Sequence, residues 1–86
     1  MYKVQKKDGS LEDFDRNKIL SGVVKSGASE EEAEGIAAQV EGWLTGAAVE
    51  GVVNTMDVRS KVLELLRLVN PTAADAFESY QKAPAI

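Results

Sequence analysis

An Asp8-Gly9 pair follows the alternating run Tyr2-Lys3-Val4-Gln5-Lys6 after a single residue, Lys7, and together they impose an early reversal on the chain. Alternation of apolar and polar side chains suits a half-buried strand. Asp-Gly is the strongest short-range signal for a two-residue hairpin turn. A second short strand is predicted around Ser10 to Phe14, so the chain opens with a β-hairpin whose polar face carries Lys6 or Lys7. Further on, Ala47 to Val53 are apolar and β-branched enough to predict a third short strand able to join that hairpin.

The remaining segments carry helix signals. Asp15 is a good cap for a first helix with Ile19, Leu20, Val23 and Val24 at helical spacing and Gly27 near its end. Ser29 with Glu32 three residues later reads as a capping box. It opens a second helix with a buried stripe of Ala33, Ile36, Ala37, Val40, Trp43 and Leu44, and Gly46 is its expected stop. Thr55 is the expected cap of a third helix, with Asp57 favourable in its first turn and Val58, Val62, Leu65, Leu66 and Val69 on its apolar face. Asn70-Pro71 predicts a cap followed by proline at the first position of a fourth helix, which carries Ala73, Ala74, Ala76, Phe77 and Tyr80 and ends at Pro84. Gly22, Gly35 and Gly42 lie inside helical patterns, where close approach of a neighbouring helix is the expected reason for them and a ligand contact the alternative. The expected fold is α+β: a small N-terminal β-hairpin, extended to a three-stranded sheet, capping a four-helix bundle.

Composition narrows the function. The 86 residues fit one domain, 1–86, without repeat or linker. Cysteine and histidine are both absent, which removes disulfides, thiolate or imidazole metal sites and the commonest general base. No metal ligand set and no catalytic residue is predicted, and the chain is not expected to be an enzyme. The N-terminus lacks an apolar signal region and no apolar run approaches membrane length, so no membrane partner and a cytoplasmic location are expected. A net charge of −4 and the lack of a basic second helix disfavour nucleic acid. The charge is unevenly spread: residues 1–25 hold six of the ten cations against four of the fourteen acids. A small anionic ligand would be drawn to that quarter, although a lysine-rich edge strand also guards a sheet against aggregation.

The run Val4-Gln5-Lys6-Lys7-Asp8-Gly9-Ser10-Leu11-Glu12-Asp13-Phe14-Asp15-Arg16-Asn17-Lys18-Ile19 resembles the ATP-cone signature, V-x-K-R-D-G, a short spacer, then E-x-F-D/N-x-x-K-I. Asn54-Thr55-Met56-Asp57-Val58 is similar to the start of the third helix of such domains. Ala74-Asp75-Ala76-Phe77-Glu78-Ser79-Tyr80-Gln81-Lys82 resembles their closing helix. Two positions depart from the pattern. Lys7 and Gln81 stand where arginine is usual, and at Lys7 this gives up the planar fork suited to phosphate.

The resemblance implies a module that binds ATP or dATP, with magnesium, as an allosteric effector of ribonucleotide reductase or of its transcriptional repressor. It further implies that Val4, Lys6, Lys7, Glu12, Asp15, Lys18, Thr55 and Lys82 line the nucleotide site. Glu12 and Asp15 would serve base and sugar, and Lys6, Lys7, Lys18 and Lys82 the phosphates. Thr55 presents a hydroxyl at a helix N-terminus. The spacing lets Lys6 and Lys7 face Lys18, as converging phosphate ligands must. No glycine-lysine-serine/threonine cradle for phosphoryl transfer is present, so binding without hydrolysis is expected. The partner would be a reductase or regulator in trans, unless the chain is a fragment of one, and nucleotide-dependent self-association is a further expected output. The rival reading is a small helical interaction module whose nucleotide site is degenerate. Asp15 and Thr55 serve as caps in either case, Glu12 can simply pair with a lysine across the hairpin, and Trp43, Phe77 and Tyr80 sit at core spacing.

Overall fold

The computed structural model describes residues 2–82, without the side chains of Tyr80, Gln81 and Lys82. Its first reversal is wider than the Asp-Gly pair predicts. Strands β1 (Lys3–Gln5) and β2 (Leu11–Asp13) pair antiparallel with Val4 opposite Glu12. The Lys6 amide then donates to the Ser10 carbonyl at 2.8 Å, so the loop holds Lys7, Asp8 and Gly9 instead of two residues. Within it the Gly9 amide donates to the Lys6 carbonyl at 2.9 Å, and Gly9 takes a φ of 88°. A turn followed by a left-handed residue is the usual three-residue hairpin. Asp8 selects it: its Oδ1 accepts from both the amide (2.9 Å) and the hydroxyl (2.6 Å) of Ser10, a local turn mimic available to Asp but not to apolar residues.

Helix α1 (Arg16–Lys25) is capped by Asp15, whose carboxylate accepts from the Asn17 amide at 2.9 Å. Its other end closes through Gly27 at a φ of 110°. The Gly27 amide donates to Val24 and the Ala28 amide to Val23, the two-bond closure that satisfies orphan carbonyls. Helix α2 (Glu30–Ala47) begins with the expected capping box: Ser29 accepts from Glu32 and Glu32 from Ser29. It does not stop at Gly46 but runs to Ala47. Residues Val49 to Val52 then form a tight turn with Glu50 and Gly51 both at positive φ. That turn consumes most of the predicted third strand, and β3 is only Val52–Asn54. Asn54, not Thr55, caps α3 (Thr55–Val69), its Oδ1 accepting from the Met56 amide at 2.8 Å. Thr55 is the first helical residue. Asn70 caps α4 (Pro71–Lys82) through the Ala73 amide at 3.1 Å. Its amide also donates to Glu32, tying the α3–α4 junction to the start of α2. The expected stop at Pro84 lies outside the described residues.

The sheet order is β2-β1-β3, with β3 parallel to β1 and Val53 beside Val4. The helices pack in chain order, α1 on α2, α2 on α3 and α3 on α4, with a lighter contact between α1 and α4. The result is an α+β arrangement of a small three-stranded sheet and four helices. Val4 and Val53 from the sheet meet Val23, Ile36, Leu44, Val62, Leu66 and Phe77 from the helices in one core. Three residues assigned to apolar faces lie elsewhere: Val24 is 39% exposed, Val69 47%, and Ala76 also faces water. Trp43 is half-buried. Among the described residues, no helix is long and apolar enough to cross a membrane.

Close helix approach accounts for only one of the three helical glycines. A Cβ on Gly22 would lie 3.6 Å from Phe77, whereas at Gly35 and Gly42 it would meet nothing within 4 Å. Both sit inside α2 and face solvent. Replacing each by alanine is expected to raise the unfolding free energy by about 0.5–1 kcal/mol per site. A urea titration should show a higher midpoint at unchanged slope; an unchanged or lowered midpoint would mean that these glycines serve contacts the isolated chain does not make.

Candidate functional site

A cleft of about 260 Å³ opens between the hairpin, the start of α1 and the first two turns of α3. Helical periodicity assembles its walls. From α3 come Thr55, Val58, Arg59 and Val62, and from α1 come Lys18, Ile19 and Gly22, each set on one face of its helix. Phe77 of α4 reaches the cleft where Gly22 leaves room for its ring. Val4, Val58, Val62 and Phe77 are all buried, so the floor is apolar. The rim carries the charges of Glu12, Asp15, Lys18 and Arg59.

Glu12 is the hub of that rim. Its Oε2 lies 3.2 Å from the Lys6 ammonium and its Oε1 3.3 Å from that of Lys18. Strand geometry explains the first contact. Val4 and Glu12 are opposite in register and share a face, and Lys6, two residues beyond Val4, returns to that face as the diagonal neighbour of Glu12. The second contact arises because Asp15 starts α1 at once, which brings Lys18 in its first turn back towards β2. Hydrogen bonds from Lys6 and then Lys18 hold the Glu12 carboxyl below the usual carboxylate range. Its neighbours are committed elsewhere. Asp13 pairs with Lys3 on the other face of the hairpin, and Asp15 is engaged by the Asn17 amide.

Of the residues expected at the site, the cleft is lined by Val4, Glu12, Asp15, Lys18 and Thr55, and Lys6 joins them through Glu12. Lys7 is not brought in; it sits exposed in the hairpin loop, outside the lining. The Lys82 side chain lies outside the described residues. Arg59 was not anticipated. It lines the cleft one helical turn beyond Thr55 and has no ion-pair partner among the described residues. The four-residue spacing from Thr55 is the signal that would have found it. Converging cations above an apolar floor suit a ligand with a flat, weakly polar portion and an anionic portion.

Comparison with curated protein sequences returns no match. A family profile, that of the ATP cone domain, matches residues 2–84. The matched stretch runs unbroken from the first strand through the fourth helix and includes every residue that lines the cleft, so the chain belongs to the ATP-cone family of nucleotide-sensing regulatory domains.

Proposed function

We propose that the cleft takes ATP or dATP, with magnesium on the phosphates, and that occupancy is a regulatory signal and not the first step of a reaction. The observation that carries this reading is the apposition, in an ATP-cone chain, of an apolar floor with Lys6, Lys18 and Arg59 around one small cleft. At about 260 Å³ the cleft falls just short of the usual range for whole small-molecule sites, roughly 300–1,000 Å³. It suits a base and part of a sugar, leaving the phosphates over the charged rim. In this pose Val4 packs on the base, and Glu12 and Asp15 accept from the adenine amino group or ribose hydroxyls. Thr55 offers its hydroxyl at the start of α3. Lys6, Lys18 and Arg59 take phosphate oxygens; the family resemblance also assigns Lys7 and Lys82 to the phosphates.

The chain has no histidine or cysteine to act as base or nucleophile and no Walker lysine, which supports binding without hydrolysis. The signature residues Val4 to Ile19 are similar to those of cones in ribonucleotide reductases and in their repressor, so control of deoxyribonucleotide supply is the output we assign. A reductase or regulator is the partner.

Calorimetry should therefore show both ATP and dATP binding in the presence of magnesium, with no phosphate released on prolonged incubation. Absence of heat with either nucleotide at millimolar concentration would instead favour an interaction module with a degenerate site. Lys6→Ala and Lys18→Ala should each weaken triphosphate binding about tenfold while leaving the circular dichroism unchanged, because each removes a charge-assisted hydrogen bond. Equal affinity in wild type and both variants would place the site elsewhere. Nucleotide identity should also change the assembly state. Allosteric couplings are typically about 1–3 kcal/mol, enough to move a dimer constant by about one to two decades. Light scattering in the apo form, with ATP and with dATP reads this directly, and one common mass under all three conditions would leave a different protein as the only receiver.

A further inference from the structure

The cations of the cleft are already occupied by an anion of the protein itself. Lys6 and Lys18 both point at Glu12, at 3.2 and 3.3 Å, one on each carboxylate oxygen. The lining otherwise contains Asp13, Asp15 and Arg59. An incoming polyphosphate thus meets the carboxylates of Glu12 and Asp15, while that of Asp13 is turned to Lys3 on the other face of the hairpin, and Arg59 is the one cation at the cleft without an ion-pair partner among the described residues. Like charges repel, and a phosphate has to compete with Glu12 for both lysines. Losing them leaves a carboxylate that needs new donors.

Building on the nucleotide reading above, we infer that Glu12 is a resident counter-anion that selects the ligand class. It excludes bare polyphosphates and admits polyphosphate esters whose base or sugar donates a hydrogen bond to the carboxylate as the phosphates take its lysines. Inorganic tripolyphosphate has the charge to displace Glu12 but no donor with which to compensate it. A nucleoside triphosphate has both in one molecule. The exchange moves no covalent bond: two lysines pass from carboxylate to phosphate, and the carboxylate passes from lysines to an amino or hydroxyl donor. Glu12 lies on the outer strand of the sheet, half-buried, where its side chain can turn between the two partners without disturbing the core.

The test titrates ATP and inorganic tripolyphosphate, each with equal magnesium and at constant ionic strength, into the full wild-type chain and into Glu12→Gln, Glu12→Ala and Asp13→Asn. Asp13→Asn removes the same charge one residue away, from a carboxylate paired with Lys3 on the other face of the hairpin, and so separates a specific exchange from a change of net charge. Circular dichroism checks each fold, and either Glu12 variant alone suffices. Wild type should bind tripolyphosphate at least about tenfold more weakly than ATP. Removing the Glu12 carboxylate should strengthen tripolyphosphate binding about tenfold and shrink the preference for ATP by a similar factor. Asp13→Asn should do neither. Tripolyphosphate binding that is unchanged or weakened in the Glu12 variants, or equally strengthened in Asp13→Asn, overturns the inference while leaving ATP binding by the wild type to stand or fall separately. A gain for tripolyphosphate in a chain whose wild type binds no ATP keeps Glu12 as the competing anion and removes the nucleotide reading alone.

Discussion

The parallel pairing of β1 with β3 is the contact on which the rest of the site depends. It sets Val4 beside Val53 and Gln5 beside Asn54, although all of α1 and α2 lie between them in the chain. Strands of three residues have little stability of their own, so the hydrogen bonds do not hold this join unaided. Burial does: Val4 and Val53 are 8% and 4% exposed and pack into the helical core from the same face of the sheet. Since Asn54 both ends β3 and caps α3, fixing β3 fixes the origin of α3 against the hairpin. Thr55 and Arg59 then face Glu12 and Lys18 across the cleft.

Much of this was legible in the residues, and the failures have local causes. Asp15, the Ser29–Glu32 box and Asn70-Pro71 all start helices where their chemistry says they should, because side-chain acceptors for orphan amides act within a few residues. The loop at Asp8-Gly9 was misjudged by one residue because Ser10 competes for the Asp8 carboxylate, an interaction invisible to the dipeptide alone. Asn54 and Thr55 are both good caps in sequence. Asn54 prevails because β3 continues through it and leaves its backbone extended at the helix start. The strand expected from Ala47 is shortened because α2 carries on past Gly46 and the chain needs the Glu50-Gly51 turn to reverse. Composition cannot weigh those two demands against each other.

The candidate cleft was legible to the extent that it depends on the N-terminal run. Val4, Lys6, Glu12, Asp15 and Lys18 lie within a single hairpin and helix start, so short-range geometry brings them together. The family resemblance placed Lys7 with them, but adjacent residues point to opposite sides near a strand end, and the widened loop carries Lys7 outside the cleft lining. Arg59 is the opposite case. It is distant in sequence, and only the β1–β3 pairing brings its helix to the hairpin.

Net charge proved a poorer guide than charge pairing. The N-terminal quarter holds most of the cations, which suggested an open invitation to anions. Yet Lys3, Lys6 and Lys18 are matched with acids of the same segment, and Arg16 bridges Glu34 and Glu41 on α2 at 3.1 and 3.2 Å. Exposed pairs of this kind contribute little to stability, and that weakness suits a sensor. The start of α1 is held between two ion-pair clusters, Glu12 on the hairpin side through Lys18 and two glutamates of α2 through Arg16. Under the exchange proposed above, a ligand that takes Lys18 from Glu12 would remove one of these restraints and keep the other. A differential contact of that sort, made in one state and absent in the other, is what an effector must have to shift a conformational equilibrium. Here the contacts concerned, Lys6 and Lys18 on Glu12, lie at the surface.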